Sequence, residues 1–110
     1  MASASKAAIA VLRGARAVLT EHGWQQDGDF ADDAGRLSLD GALTFAVTGR
    51  PSPPCEGSGI AEGLLLDALA SRGYDGTVGD WNDEPGRTLG EVYALLDEVI
   101  DHRGPVRKAP

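Results

Sequence analysis

Apolar residues recur at helical spacing along four stretches of this chain, separated by polar segments rich in glycine, proline and aspartate. Apolar side chains three or four positions apart are typical of amphipathic α-helices. Alternation of apolar and polar residues, which would indicate β-strands, is poor throughout the sequence. The pattern predicts a compact all-α domain of four helices, with a short extra helical turn before the last helix.

Serine and glycine residues mark the ends of the predicted helices, which span residues 6–22, 39–48, 59–72 and 89–102. Serine is a preferred N-cap residue because its hydroxyl accepts a hydrogen bond from the first turn, and the first three helices each follow one: Ser5, Ser38 and Ser58. Glycine readily adopts the left-handed conformation that ends a helix, and the same three helices precede Gly23, Gly49 and Gly73.

The segment at residues 77–92 carries the densest local signals. Thr88 and Glu91 have the spacing of a capping box, in which each side chain bonds to the backbone N–H of the other residue. Thr77 and Asp80 repeat this spacing, which predicts the single helical turn. We expect that turn to carry Trp81 into the core.

Polar residues surround Trp81 and allow two interpretations. In the structural one, Trp81 fills the core, Asn82 or Asp83 caps backbone groups, and Arg87 pairs with a carboxylate. In the functional one, Trp81, Asp83 and Arg87 form a recognition surface or the rim of a pocket. Arginine can bind a carboxylate or phosphate through two parallel hydrogen bonds, which makes Arg87 a candidate binding residue.

Three pieces of sequence resemble a known family: residues 22–24 (H-G-W), 39–43 (L-D-G-A-L) and the pattern W-N-D-x-x-G-R-T-x-x-E-V at residues 81–92. The last is the specific one. Through these three pieces, the chain from Ala8 to Ile100 resembles the domain of unknown function 6197, a family of small proteins common in high-GC actinobacteria. The resemblance implies a small helical domain and brings no activity with it.

Cys55 is the only cysteine, so the chain can form no internal disulfide and offers no cysteine cluster for zinc. It lies in the proline-rich segment 49–57, which we expect to cross between two helical pairs. A nucleophilic cysteine needs a histidine partner. Nothing places His22 or His102, the two histidines, beside it. An incidental thiol is therefore favoured, and no catalytic residue is assigned.

Four aspartates between residues 27 and 33 raise the question of a metal site. A calcium-binding EF-hand loop has an oxygen ligand at its fifth position and glycine at its sixth. Counted from Asp27, these positions hold Ala31 and Asp32, so we predict a solvated loop, with a weak cation site of another kind as the alternative, and assign no metal or cofactor. A carboxylate pair such as Asp80 and Asp83 could perform acid–base chemistry only if burial raised one pKa.

With 110 residues the chain is predicted to form one domain, with residues 1–5 and 104–110 flexible. The net charge of −7 disfavours direct binding to nucleic acids and to anionic membranes, because both need clustered lysine and arginine. No apolar run reaches the ~18 residues of a transmembrane helix. Basic residues interrupt the N-terminal apolar stretch, so no signal peptide is predicted. We expect a cytoplasmic location.

The leading hypothesis is an accessory or regulatory protein that binds another protein, or a second copy of itself, without catalysis. The adjacent leucines at residues 64–66 cover more than one side of the third helix, which makes it either central or a partner surface. One alternative is an enzyme or ligand-binding protein of bacterial secondary metabolism. Its pocket between helices would be lined by Trp24, Trp81 and Tyr93, with Asp83 and Arg87 as the polar groups. Another alternative is an acidic mimic of nucleic acid.

Overall fold

The computed structural model describes residues 2–26, 28–52 and 55–103. Five helices follow one another in this part of the chain: α1 (Ala2–His22), α2 (Leu39–Thr48), α3 (Glu56–Ser71), the short α4 (Val78–Asn82) and α5 (Leu89–Arg103). These described residues include two isolated β-bridges, both to Leu37, and no strand. The predicted all-α domain of four helices with an extra turn is confirmed.

The boundaries of α2 are those predicted, with the Ser38 hydroxyl accepting from the backbone N–H of Gly41. At the other end Gly49 has a φ of 84°, in the left-handed region. The start of α1 was predicted wrongly, since that helix begins at Ala2 and Ser5 lies inside it. The predicted flexible segment 104–110 lies outside the described residues.

The start of α3 also differs from the prediction. The helix begins at Glu56, Cys55 is its N-cap residue, and Ser58 is in the first turn. The buried Ser58 hydroxyl accepts from the backbone N–H of Cys55 at 3.0 Å. Ser58 thus reaches back to the N-cap residue, as the third helical residue of a capping box does. Placing the serine before the helix, instead of inside its first turn, put the predicted start too late.

The capping box predicted at the start of α5 is confirmed, and of the one predicted at the start of α4 the bond to the Thr77 side chain is confirmed. The Thr77 hydroxyl accepts from the backbone N–H of Asp80 at 2.9 Å, which starts α4. At the start of α5, the Thr88 N–H donates to Glu91 Oε1 at 2.9 Å and the Glu91 N–H donates to Thr88 Oγ1 at 3.2 Å. Local side-chain chemistry therefore sets the turn between these two helices.

One apolar core is shared by all five helices, and its largest fully buried side chains include Ile9, Leu12, Leu19, Leu37, Leu39, Leu43, Leu65, Leu69, Leu95 and Leu96. Helix α1 packs against α2, α3 and α5. It approaches α2 closely at Gly14, where an added Cβ would lie 3.0 Å from Ala46 Cβ. The connection between α1 and α2 contributes buried Leu37 to this core, and Trp24 packs against it.

Candidate functional site

Asn82, the last residue of α4, is fully buried and joins three parts of the chain. Its Oδ1 accepts from the indole N–H of Trp24 at 2.6 Å and from the backbone N–H of Leu39 at 3.0 Å. Its Nδ2 donates to the carbonyl of Gln25 at 3.1 Å and to Asp83 Oδ1 at 2.9 Å. We call these contacts the Asn82 network. They tie the α1–α2 loop and the start of α2 to α4.

Gln26 adds a second link between the same regions. Its Nε2 donates to the backbone carbonyls of Asn82 at 2.9 Å and Glu84 at 2.8 Å. The sequence marked Asn82 as a capping residue beside Trp81, but it contained no signal for these links to the α1–α2 loop and to α2, because the partners lie more than 40 positions away in the chain.

Trp81 and Arg87 pack against each other at the turn between α4 and α5. Trp81 is buried, and the Arg87 guanidinium carbon lies 4.0 Å from the centroid of its ring. Arg87 Nε donates to the Trp81 carbonyl at 2.9 Å, and Nη2 donates to Glu84 Oε1 at 2.8 Å. The Glu91 carboxylate lies 3.6 Å from Nη1. The guanidinium therefore stabilises the turn through cation–π and hydrogen-bond contacts within the fold.

Tyr93 faces α1. Its hydroxyl lies 2.8 Å from Thr20 Oγ1, and the Arg16 guanidinium carbon lies 4.3 Å from its ring centroid. Arg16 also binds Asp97 in a bidentate pair at 2.8 and 3.2 Å. Thus Trp24 and Asp83 meet at Asn82, Trp81 meets Arg87 beside them, and the described contacts of Tyr93 join it to α1.

Two other carboxyl groups act on that of Asp40, one from α3 and one directly after α4. Asp40 in the first turn of α2 lies within hydrogen-bonding reach of Glu62 on α3, and the charge of Asp83 also acts on it. Burial, then the charge and hydrogen bond of Glu62, then the charge of Asp83, raise the pKa of Asp40 to about 7. The sequence suggested Asp80 with Asp83 as an example of such a pair, and it gave no reason to join Asp40 to Glu62.

The model of the family of unknown function DUF6197 matches residues 3–102, which is most of the chain. The chain belongs to DUF6197. Its matched region contains the Asn82 network, the Trp81–Arg87 contact and the three carboxyl groups. Comparison with curated proteins and with solved structures found no match.

Cys55 of this DUF6197 protein is half-buried at the start of α3. Its Sγ lies 3.7 Å from Ser58 Oγ. Hydrogen bonding to the Ser58 side chain, and then to its backbone, lowers the pKa of the Cys55 thiol. His22 packs elsewhere, with its ring 5.0 Å from that of Phe45, while the side chain of His102 lies outside the described residues.

The aspartate-rich loop is organised by one of its own carboxylates. Asp32 Oδ1 accepts from the backbone N–H groups of Ala34 at 3.0 Å and Arg36 at 2.8 Å. Asp32 Oδ2 accepts from Arg36 Nε at 2.7 Å. These bonds form a local turn of the kind that aspartate favours. Within the described part of the chain, no cluster of three or more histidine, cysteine or acidic residues could hold a metal ion.

Two large apolar side chains of the described residues are exposed, one on α3 and one near the end of α2. Ile60 is 57% exposed and Val47 is 40% exposed. Val47 contacts α3 at Gly57, where an added Cβ would lie 2.7 Å from Val47 Cγ1. At Gly59 and Gly63 no described atom outside the helix's own nearby backbone lies within 4 Å of the position that a Cβ would take. Gly59, Ile60 and Gly63 share one side of α3 by their helical spacing, and we call them the α3 outer face.

The leucine triplet on α3 is divided between core and flank. Leu65 is fully buried, whereas Leu64 and Leu66 are partly buried against the core. The exposed apolar side chain of this helix is therefore Ile60, one turn before the triplet. Among the described helices, none combines the length and apolar character required to cross a membrane.

Proposed function

We propose that this DUF6197 protein is a small cytoplasmic accessory or regulatory protein that acts by binding another protein, without catalysis. The observation that supports the proposal is the α3 outer face, where the exposed Ile60 side chain lies beside two open glycines. An exposed apolar side chain is a favourable contact for a partner, because association removes it from water.

The glycines of α3 strengthen this argument. Glycine inside a helix is less favourable than alanine by about 1 kcal/mol. Gly57 offsets that cost because its missing side chain leaves room for Val47. Gly59 and Gly63 make no such contact with the described residues, so close packing within this part of the chain does not offset the cost of these two glycines. A second helix could approach the α3 backbone closely at these two positions.

The ligand-binding alternative receives less support from the site. The indole N–H of Trp24 is bonded to Asn82, and the donors of Arg87 serve Trp81 and Glu84. A ligand bound by these groups would have to compete with the hydrogen bonds that they already make within the fold. An acidic mimic of nucleic acid fits the net charge of −7, and its binding would weaken steeply with salt.

Photo-crosslinking tests the proposal and identifies the surface. A photoreactive amino acid would replace Ile60 in one variant and Ala94, an exposed residue of α5, in a matched control. After irradiation in a lysate of the source organism, we expect one protein to be crosslinked through position 60 only. Equal labelling from both positions, or none from position 60, would contradict the proposal.

Affinity measurement with the purified partner then separates the interpretations. We expect Ile60→Asp to weaken binding at least about tenfold, which corresponds to about 1.4 kcal/mol. Ala94→Asp should bind as the wild type does, with circular dichroism confirming that both variants are folded. A crosslink between two copies of this chain would identify a homodimer, and binding that salt abolishes would favour the nucleic-acid mimic.

A further inference from the structure

Charge is divided unevenly among the described helices. Helices α2, α3 and α4 contain five acidic residues, one in α2, three in α3 and one in α4, and no lysine or arginine. The lysine and arginine residues of the helices lie instead in α1 and α5. One part of the fold therefore carries negative charge that its own helices do not neutralise.

The ion pairs leave this imbalance in place. Within residues 2–26, 28–52 and 55–103, they join arginine or histidine to acids of α1, α5 and the connecting segments, and none includes Glu62 or Asp67 of α3. Asp40 on α2 is affected by the excess of negative charge, because burial, and then the two acids Glu62 and Asp83, raise its pKa.

The α3 outer face lies in this acidic part of the fold. Asp67 follows Gly63 by four positions, which places it on the same side of α3 as Gly63. It is exposed, and Ile60 is 57% exposed two turns before it. This side of the helix thus combines an accessible apolar side chain with an acid that no described arginine or lysine neutralises.

The two glycines favour a helix as the group that binds here. Gly59 and Gly63 lie about one turn apart, and the space that their side chains would fill is open. The distance between two packed helices depends on the side chains at their contact, so a partner helix can lie close to α3 at this point. Its apolar side chains would then pack against Ile60.

A second copy of this chain fits the surface poorly. Symmetric pairing through the same face would place α3 against α3, and this helix contains three acids and no lysine or arginine. Like charges that face each other across an interface oppose association. The group that binds here therefore has to bring positive charge.

On the basis of the proposed function, we propose that the α3 outer face binds an amphipathic helix of a different protein, and that this helix carries lysine or arginine beside its apolar contact residues. Burial of Ile60 holds the complex together. The attraction between Asp67 and the basic residues speeds the encounter and fixes the orientation of the helix.

The protein crosslinked through position 60 provides the first test. Mass spectrometry of the crosslinked peptide identifies the bound segment, which should contain more basic than acidic residues within about two helical turns of the crosslinked position. A segment without that excess would overturn this inference and leave the proposed function standing. A crosslinked peptide from a second copy of this chain would also overturn it and would identify a homodimer. The absence of any crosslink from position 60 would overturn both proposals.

Charge reversal at Asp67 provides the second test. With the purified crosslinked protein, we expect Asp67→Lys to weaken binding at least about fivefold, chiefly through slower association. Asp67→Asn, which only removes the charge, should give a smaller loss in the same direction. Asp101→Lys, the same reversal at an exposed position of α5, is the matched control and should have a clearly smaller effect. Equal effects at the two positions, or a folded Asp67→Lys variant with unchanged affinity, would overturn the inference.

Salt separates the two contributions to binding. Raising the salt concentration from about 0.05 M to about 0.5 M should weaken the complex without abolishing it, because screening removes the attraction of Asp67 and leaves the burial of Ile60. Affinity that salt does not change would overturn this inference while leaving the proposed function intact.

Discussion

The indole N–H of Trp24 donates a 2.6 Å hydrogen bond to Asn82 Oδ1, joining two residues that are 58 positions apart in the chain. The same oxygen accepts the backbone N–H of Leu39. One buried amide therefore satisfies two donors from different segments.

Replacing Asn82 by alanine should destabilise the protein strongly. The substitution leaves the donors of Trp24 and Leu39 without their acceptor, and each unpaired buried group costs 1–3 kcal/mol. We expect a loss of about 3 kcal/mol in the free energy of unfolding, measured by urea denaturation.

Trp24→Phe is the matched control for that experiment, because it removes one donor and keeps an aromatic ring. In a double-mutant cycle, Trp24→Phe should cost clearly less when Asn82 is already alanine. Additive losses would show that the two residues do not depend on one another.

Replacing glycine by alanine should have opposite effects on stability at two positions in the helices. At Gly41 an added Cβ would lie 2.0 Å from the carbonyl oxygen of Phe30, so Gly41→Ala forces the loop away from α2. We expect a loss of about 3 kcal/mol or more. At Gly63 the space is open, and Gly63→Ala should stabilise the protein by about 1 kcal/mol. Thermal unfolding measures both, and a destabilising Gly63→Ala would contradict the open geometry.

Partner binding should respond to Gly63→Ala in the opposite sense to stability. If a helix of the partner approaches α3 at Gly59 and Gly63, an added methyl group keeps the two backbones apart. We expect a more stable protein with a weaker affinity for the crosslinked partner, measured by calorimetry. Ala94→Gly, on the exposed side of α5, should lower stability and leave that affinity unchanged.

The ion pair between Arg16 and Asp97 should contribute little despite its bidentate geometry. Both side chains are more than a third exposed, at 40% and 47%. Exposed pairs of this kind typically contribute less than about 1 kcal/mol. We expect a coupling energy of about 0.5 kcal/mol from a double-mutant cycle, decreasing as salt is added. A coupling that persists in high salt would instead indicate that the Tyr93 ring shields the pair.

The parts of the fold that depend on near neighbours were predicted well from sequence. The boundaries of α2 follow from Ser38 and Gly49, and the start of α5 follows from Thr88 and Glu91. In each case the residue that caps the helix lies within a few positions of the groups it bonds. Ser58 was misplaced because its bond runs backwards to Cys55, so the same residue type marks a different helical position.

The candidate site could be predicted only in part. The sequence singled out Trp81, Asp83 and Arg87 because they are adjacent, but it could not tell that Arg87 lies over the Trp81 ring. The interaction of Asp40 with Glu62 depends on how α2 packs on α3, and it cannot be predicted from the separation of the two residues in the sequence. Tyr93 was grouped with the tryptophans as an aromatic residue, whereas the direction of its side chain is set by α1.

The Asn82 network also bears on the order in which the molecule assembles. Each helix can begin to form from contacts between near neighbours, whereas the bonds from Asn82 to Trp24 and Leu39 span 58 and 43 positions. Contacts between distant parts of a chain form more slowly, because a long loop must close first. We therefore expect the α1–α2 loop to dock after the helices have formed, so that the fluorescence change of Trp24 reports a late step of folding.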